Sequence, residues 1–178
     1  MQREIVLSVI ADDHPGIVQS LAETIAGHGG NWLDSSMSHL SGKFAGIVLL
    51  EVSGEREREL EDALRSLDRS GLHVAFERTA SSGTQPFHYV MVSIVANDRP
   101  GIVGEISDLL ARHDINIESL TTSVADTPMS SGHLFKARFQ ANLPENMSYD
   151  DLQRVLESAS DDLMVELDGH PWSEQPPY

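Results

Sequence analysis

The chain has 178 residues, of which 28 are Asp or Glu and 12 are Lys or Arg, so its formal net charge is -16. This charge repels nucleic-acid phosphates and argues against direct binding of DNA or RNA. The absence of cysteine excludes disulfides, thiolate metal sites and cysteine nucleophiles, and it agrees with a cytoplasmic location. With no leader or membrane-length apolar run in the sequence, we expect a soluble chain with no membrane partner.

The first predicted elements are a strand and a helix. Ile5–Ala11 is a short apolar run rich in β-branched residues, which predicts a strand buried on both faces. In the turn that follows, Asp12 or Asp13 is expected to cap a helix, and Pro15 suits the first helical turn. Apolar residues then recur at helical spacing until two glycines at 29–30 end the helix.

A hairpin, a second helix and a last strand are predicted next. The hairpin comprises Asn31–Leu40 and Phe44–Ser53, which are separated by a short turn. Glu55–Ser70 carries apolar residues on one helical face, and His73–Arg78 completes the unit as a strand.

An internal repeat at an offset of 85 residues is the strongest signal in the sequence. The identical pairs in the first block are Ser8/Ser93, Ala11/Ala96, Asp13/Asp98, Pro15/Pro100, Gly16/Gly101, Ile17/Ile102 and Val18/Val103. The same offset matches His28 to His113, Asn31 to Asn116 and Ser38 to Ser123. So many identities predict a duplication, and hence two domains.

The second copy repeats the same order of elements. Asn97 or Asp98 is expected to cap its first helix, with Pro100 in the first turn, and Ser148 to cap its second. The predicted strands and second helix are Tyr89–Ala96, Asn116–Ala125, His133–Asn142, Tyr149–Asp161 and Leu163–Asp168.

The order β-α-β-β-α-β, found twice, predicts an α+β protein made of two tandem ferredoxin-like domains. With right-handed crossovers, this order gives a four-stranded antiparallel sheet with both helices on one face. The predicted boundaries are 1–79 for the first domain, 80–87 for a linker, 88–168 for the second domain and 169–178 for a C-terminal tail.

The turn between the first strand and first helix of each copy combines a glycine with carboxylates. Free N–H groups at a helix amino end attract an anion, glycine lets a ligand approach the backbone, and Asp or Asn can accept from an ammonium group. An anionic carboxylate and a cationic ammonium group are the two charged groups of an amino acid. The same Asp-x-Pro-Gly pattern also makes a helix cap without any ligand, so the turn by itself leaves both interpretations open.

The repeat as a whole resembles a known regulatory module. Asp-x-Pro-Gly-Ile-Val after a buried strand, with an Asn shortly past the helix end, is similar to the ACT domain of amino-acid metabolism. The resemblance covers roughly Arg3–Arg78 and Phe87–Asp168. Two such units in one chain of this size resemble the glycine cleavage system transcriptional repressor family.

That resemblance implies a ligand, a partner and a set of contact residues. It implies a small amino acid, glycine or serine, bound near the amino end of the first helix where two modules meet, and a protein partner such as a transcription factor. The candidate ligand contacts are Asp12, Asp13, Pro15, Gly16 and Asn31 in the first copy, and Asn97, Asp98, Pro100, Gly101 and Asn116 in the second. No cofactor or metal is implied, and we expect a homodimer.

Catalysis and protein-only binding are the two alternatives to a ligand-binding regulator. The histidines are scattered, with neither a Ser-His-Asp order nor metal-ligand spacing, so we expect no catalysis. A module that binds only proteins is a closer rival, because edge strands of small sheets can pair with each other or with a second chain. Ligand-dependent stability would separate this rival from a sensor.

Overall fold

The computed structural model of the chain describes residues 1–78, 88–126, 132–160 and 162–168. The chain divides into two compact units, Met1–Thr84 and Gln85–Tyr178. The predicted linker at 80–87 and the predicted tail at 169–178 lie outside the described residues, so these boundaries stay predictions.

Both units have the predicted order of elements. The first contains β1 (Gln2–Asp12), α1 (Ile17–Gly27), β2 (Asn31–Leu40), β3 (Lys43–Ser53), α2 (Glu57–Ser66), a 3-10 turn (Leu67–Ser70) and β4 (His73–Arg78). The second contains β5 (His88–Asn97), α3 (Ile102–Arg112), β6 (Asn116–Asp126), β7 (His133–Leu143), α4 (Tyr149–Glu157) and β8 (Met164–Asp168).

Each unit has one four-stranded antiparallel sheet. The strand orders are β2-β3-β1-β4 and β6-β7-β5-β8, so the first strand of each unit lies inside the sheet and the second lies at an edge. Both edge strands carry a register shift at the same place in the repeat, between Trp32 and Asp34 in β2 and between Ile117 and Ser119 in β6. The α+β ferredoxin-like fold is thereby confirmed.

The core of each unit lies between one sheet face and the two helices. Alternate residues of β1 and every third or fourth residue of the helices are buried, as their periods of 2 and 3.6 require. In the first unit these residues form one cluster: Ile5, Leu7, Val9, Ala11, Ile17, Leu21, Ile25, Val48, Leu50, Val52, Leu60, Leu64 and Leu72. An equivalent cluster, with Phe135 and Phe139 at its largest positions, fills the second unit.

The prediction that the first strand of each unit is buried on both faces is wrong. In β1 the alternate side chains are open to solvent, and Ile10 is 49% exposed. In β5 the corresponding side chains are half-buried. The physical reason is that both helices pack against the same face of the sheet, so the apolar composition of these strands overstates their burial.

The first helix of each unit begins without a side-chain cap, so the capping roles predicted for Asp12, Asp13, Asn97 and Asp98 are wrong. Glycine, which has no side chain to serve as a cap, occupies the N-cap position in both, and neither helix has a side-chain cap hydrogen bond in the described part of the chain. The cap predicted at Ser148 is confirmed, because Ser148 and Asp151 form a reciprocal capping box on α4. That helix ends at Glu157, before the predicted Asp161, which lies outside the described residues.

A buried carboxylate ties three elements of the first unit together. The Glu57 side chain, at the start of α2, is only 4% exposed and accepts hydrogen bonds from Arg3 on β1 and Arg78 on β4. The hydrogen bond from Arg78, followed by the hydrogen bond and charge of Arg3, lowers the pKa of this carboxyl in spite of its burial. Glu57 is therefore ionised at neutral pH and positions two arginines.

Replacing this carboxylate should destabilise the first unit in a pH-dependent way. We expect Glu57→Gln to lower the free energy of unfolding by about 1–3 kcal/mol at neutral pH, because two guanidinium groups lose a charged acceptor. Because the pKa of Glu57 is lowered in the folded state, its contribution is complete above the ordinary glutamate pKa of about 4.3 and disappears as the pH falls through the folded-state value.

Urea unfolding of both proteins from neutral pH into the acid range measures this. The difference between wild type and variant should shrink on acidification. Glu59→Gln, an exposed change on the same helix, is the control. An equal loss in both variants, or a difference that grows in acid, would contradict the assigned role of Glu57.

Candidate functional site at the strand-to-helix turns

The candidate site is the turn that reverses the chain between the first strand and the first helix of each unit. Gly16 and Gly101 lie at equivalent positions with φ of 100° and 98°, in the left-handed region. A Cβ added at Gly16 would meet no atom within 4 Å. The need for glycine here is therefore conformational and does not come from crowding.

Backbone hydrogen bonds hold each turn against the hairpin of its own unit. The Asp13 amide donates to the Gly42 carbonyl at 2.9 Å, and the Asp98 amide donates to the His133 carbonyl at 2.9 Å. The carbonyls of Gly16 and Gly101 accept the first helical hydrogen bonds, from the amides of Ser20 and Glu105, at 2.9 and 3.0 Å. The turn is thus fixed from both sides, and its geometry is the same in both units.

The two turns differ in charge at the start of the helix. The first turn of α1 contains no acidic residue, whereas that of α3 contains Glu105. The first N–H groups of a helix have no intrahelical acceptor and carry a partial positive charge. Because no side chain caps α1, its amino end can accept an anionic group from a ligand.

Two carboxylates with different partners flank the α1 turn. Asp12 accepts a hydrogen bond from Lys43, and that bond together with the lysine charge lowers the pKa of Asp12. Asp13 lies 3.5 Å, Oδ2 to Nε2, from His39, and its side chain is 44% exposed. Asp12 is more exposed, at 82%, but is bonded to Lys43, whereas Asp13 has an accessible face and only a distant partner, as an incoming ammonium group would require.

In the second unit the turn is occupied by its own side chains. Arg99 forms a two-pronged ion pair with Glu105, through Nη1 at 2.7 Å and Nη2 at 2.6 Å. This pairing raises the pKa of Arg99 and lowers that of Glu105. The pKa of Asp162 is lowered first by its hydrogen bond from Ser160 and further by Arg99 and the Asn97 amide.

The groups that flank the first turn come from a distant part of the sequence, so the motif around Gly16 does not predict them. His39 and Lys43 belong to the β2–β3 hairpin and reach the turn only through sheet pairing, as the register of Asp12 opposite Lys43 shows. The Arg99 and Glu105 pair, in contrast, could have been predicted from the local sequence. Their spacing brackets the glycine and the start of α3, where an acid in the first helical turn attracts a nearby arginine.

The predicted asparagine contacts do not lie at the turns of their own units. Asn31 is paired with Glu51 on β3, and Glu51 with Glu4 near the start of β1, whereas the turn follows the end of that strand. At about 3.3 Å per residue, the two ends are roughly 25 Å apart. Asn31 donates to Glu51 at 3.1 Å, and its counterpart Asn116 donates to Glu118 at 2.8 Å.

The remaining predicted contacts do lie together. In the first unit these are Asp12, Asp13, Pro15 and Gly16, and in the second Asn97, Asp98, Pro100 and Gly101. Among the described residues, no cluster of three or more His, Asp or Glu side chains could hold a metal ion. In the same part of the chain, no helix has the length and apolar character needed to cross a membrane.

Comparisons with known proteins agree with this architecture. The ACT domain family matches residues 3–77 and, through a second family description, residues 90–157. A search of curated proteins gave no significant match.

Two solved structures have the same fold over nearly their whole length. An unknown protein from Galdieria sulphuraria is 24% identical, with a TM-score of 0.82, over 94% of this chain and 98% of that one. A candidate glycine cleavage system transcriptional repressor is 21% identical, with a TM-score of 0.72, over 94% of this chain and 97% of that one.

Substitutions at the turn glycines should separate backbone conformation from crowding. Gly16→Ala has room for the new methyl group but must keep a positive φ, so we expect a loss of about 1–2 kcal/mol in the free energy of unfolding. Gly104→Ala is the matched control, because it lies within helix α3, is equally uncrowded and should gain up to about 1 kcal/mol. Urea unfolding measures both, and a stabilised Gly16→Ala protein would contradict the assigned turn geometry.

Proposed function

The chain belongs to the ACT domain family, with one domain in each of its two units, and from this membership we propose that it is an amino-acid-responsive regulator. The proposal has the protein act on transcription through a protein partner. The single observation that carries the ligand-binding part is the α1 turn, where an uncapped helix amino end lies beside the accessible carboxylate of Asp13.

The chemistry of this turn matches the two charged groups of a small amino acid. The free amides at the start of α1 suit the ligand carboxylate, and Asp13 suits its ammonium group. The open space beside Gly16 lets the ligand backbone approach the turn. A small ligand such as glycine or serine fits a site built from backbone amides and short side chains.

We propose that the first unit is the stronger binder. In the second unit the Glu105 carboxylate already lies in the first turn of α3, paired with Arg99. A ligand carboxylate placed there would meet that negative charge. The comparison between duplicated units thus favours Asp13 over Asp98 as the ligand contact.

Action through a protein partner is supported by the charge of the chain. A net charge of -16 is unfavourable for contact with nucleic-acid phosphates, which leaves a transcription factor as the partner class that could carry a transcriptional effect to DNA. A transcriptional effect is proposed because a candidate glycine cleavage system transcriptional repressor has the same fold.

A second candidate function is a ligand-free interaction module. The observation that favours it is the length of the exposed edge strands, since β2 and β6 extend over Asn31–Leu40 and Asn116–Asp126 with most side chains exposed. Edge strands of this length can add a strand from another chain, which would also give a homodimer.

A thermal-shift titration with glycine, serine and the other amino acids tests the proposed function. We expect one amino acid to raise the melting temperature saturably, because a ligand at about 100 times its Kd stabilises the native state by about 2.7 kcal/mol. Asp13→Ala should abolish the shift, whereas Asp98→Ala should retain most of it.

Asp108→Ala is the charge-matched control, since Asp108 lies on the exposed face of α3 and pairs with Arg112. Retention of the full shift in Asp13→Ala would show that this carboxylate does not contact the ligand. The absence of a shift with every amino acid would favour the ligand-free interaction module.

A further inference from the structure

A charged cleft lies on the first unit, away from the α1 turn. It has a volume of about 470 Å³ and is formed by α2, the start of β1 and the end of β4. Apart from Gly54, every residue that lines it is charged. The lining includes four arginines, namely Arg3, Arg58, Arg65 and Arg78. In a chain with only 12 basic residues and a net charge of -16, this is a strong local concentration of guanidinium groups.

The arginines lie in front of the carboxylates that position them. The side chains of Glu57 and Glu61 are 4% and 20% exposed, whereas those of Arg3, Arg65 and Arg78 are 55%, 67% and 65% exposed. Solvent therefore meets mainly guanidinium groups, and the compensating negative charge lies behind them. Asp62 contributes one exposed carboxylate to the lining, against four arginines.

These ion pairs leave donors available for a ligand. Arg3 bonds to Glu57 through Nη1. Arg78 bonds to Glu57 through Nε, and its Nη2 also lies 3.7 Å from Glu61 Oε2. Each guanidinium has five N–H groups, so both retain donors that these pairings do not use. Arg65 bonds to Glu61 through Nη2 at 2.7 Å. The Arg58 side chain makes no hydrogen bond or ion pair with the part of the chain that the structure describes. The cleft thus combines three positioned guanidinium groups with one uncommitted group.

The second unit lacks this cluster, although its fold is the same. Buried Leu60 and Leu64 of α2 correspond to Leu152 and Leu156 of α4, which aligns the two helices. On that alignment the residues of α4 at the positions of Glu57, Arg58, Glu61 and Arg65 are Tyr149, Asp150, Gln153 and Glu157. The ferredoxin-like unit consequently folds without the arginines, so their concentration in one unit is not a requirement of the fold.

We infer that this cleft binds a small, multiply charged oxyanion, a phosphate-bearing or polycarboxylate metabolite, at a site separate from the amino-acid turn. Guanidinium groups donate paired N–H bonds that match the geometry of phosphate and carboxylate oxygens. The cleft is of the size of small-molecule sites, and its charged lining excludes a largely apolar ligand. Binding of this oxyanion would make the same chain responsive to a second metabolite.

Isothermal titration of the full-length protein with pyrophosphate and with citrate, at constant ionic strength, tests this site. We expect saturable binding of at least one of them. The Arg58→Gln and Arg65→Gln variants should each weaken it by about tenfold, because a charge-assisted contact is lost. Both side chains are exposed, and the melting temperature without ligand confirms that each variant is folded. The tighter of the two anions distinguishes a phosphate from a polycarboxylate source.

Arg112→Gln is the matched control, since Arg112 is an exposed arginine paired with Asp108 on the second unit. It removes the same charge outside the cleft and should leave the affinity unchanged. Absence of saturable binding by both anions, or equal weakening in Arg112→Gln, would overturn the inference. If glycine or serine still raises the melting temperature of Arg58→Gln, the amino-acid turn and the cleft bind their ligands independently. Loss of oxyanion binding would then leave the proposed amino-acid site intact.

Discussion

The reversal of the chain between the first strand and first helix is the constraint on which each unit depends. The helix must return along the face of the sheet that it covers, and a left-handed glycine at Gly16 or Gly101 permits this within a few residues. The reversal places Leu21 and Ile25 over β1, so the core forms on one face only. It also leaves the first helical amides uncapped, and the folding requirement thereby creates the feature that can hold an anion.

Duplication kept this geometry and changed its electrostatics. Both turns share the glycine conformation and the backbone bond to the neighbouring hairpin. In the second unit, however, Arg99 and Glu105 neutralise each other across the helix start, whereas the first unit presents Asp13 and free amides. Because the core carries the stability of each fold, surface charges near the turn can differ between the units without loss of structure.

The arginines of this acidic chain are concentrated at one cleft of the first unit. Burial of Glu57 costs desolvation, which the bonds from Arg78 and Arg3 offset, and both guanidinium groups are held at the surface as a result. The lining of the cleft contains four arginines and three carboxylates, a formal charge of +1, whereas the chain as a whole carries -16. Small anions respond to such local fields, whereas a long polyanion such as DNA also meets the surrounding negative surface.

The sequence by itself determined the duplication, the order of elements, the ferredoxin-like fold and the glycines of the two turns. These follow from periodicity and local backbone preference, which neighbouring residues encode. Only the tertiary structure decided that Asp13 and Asp98 do not cap their helices, that Asn31 lies far from the turn, and that one face of β1 is open. It alone brought together Arg3, Glu57 and Arg78, because contacts between residues so far apart in the chain depend on strand order, register and the placement of helices against the sheet.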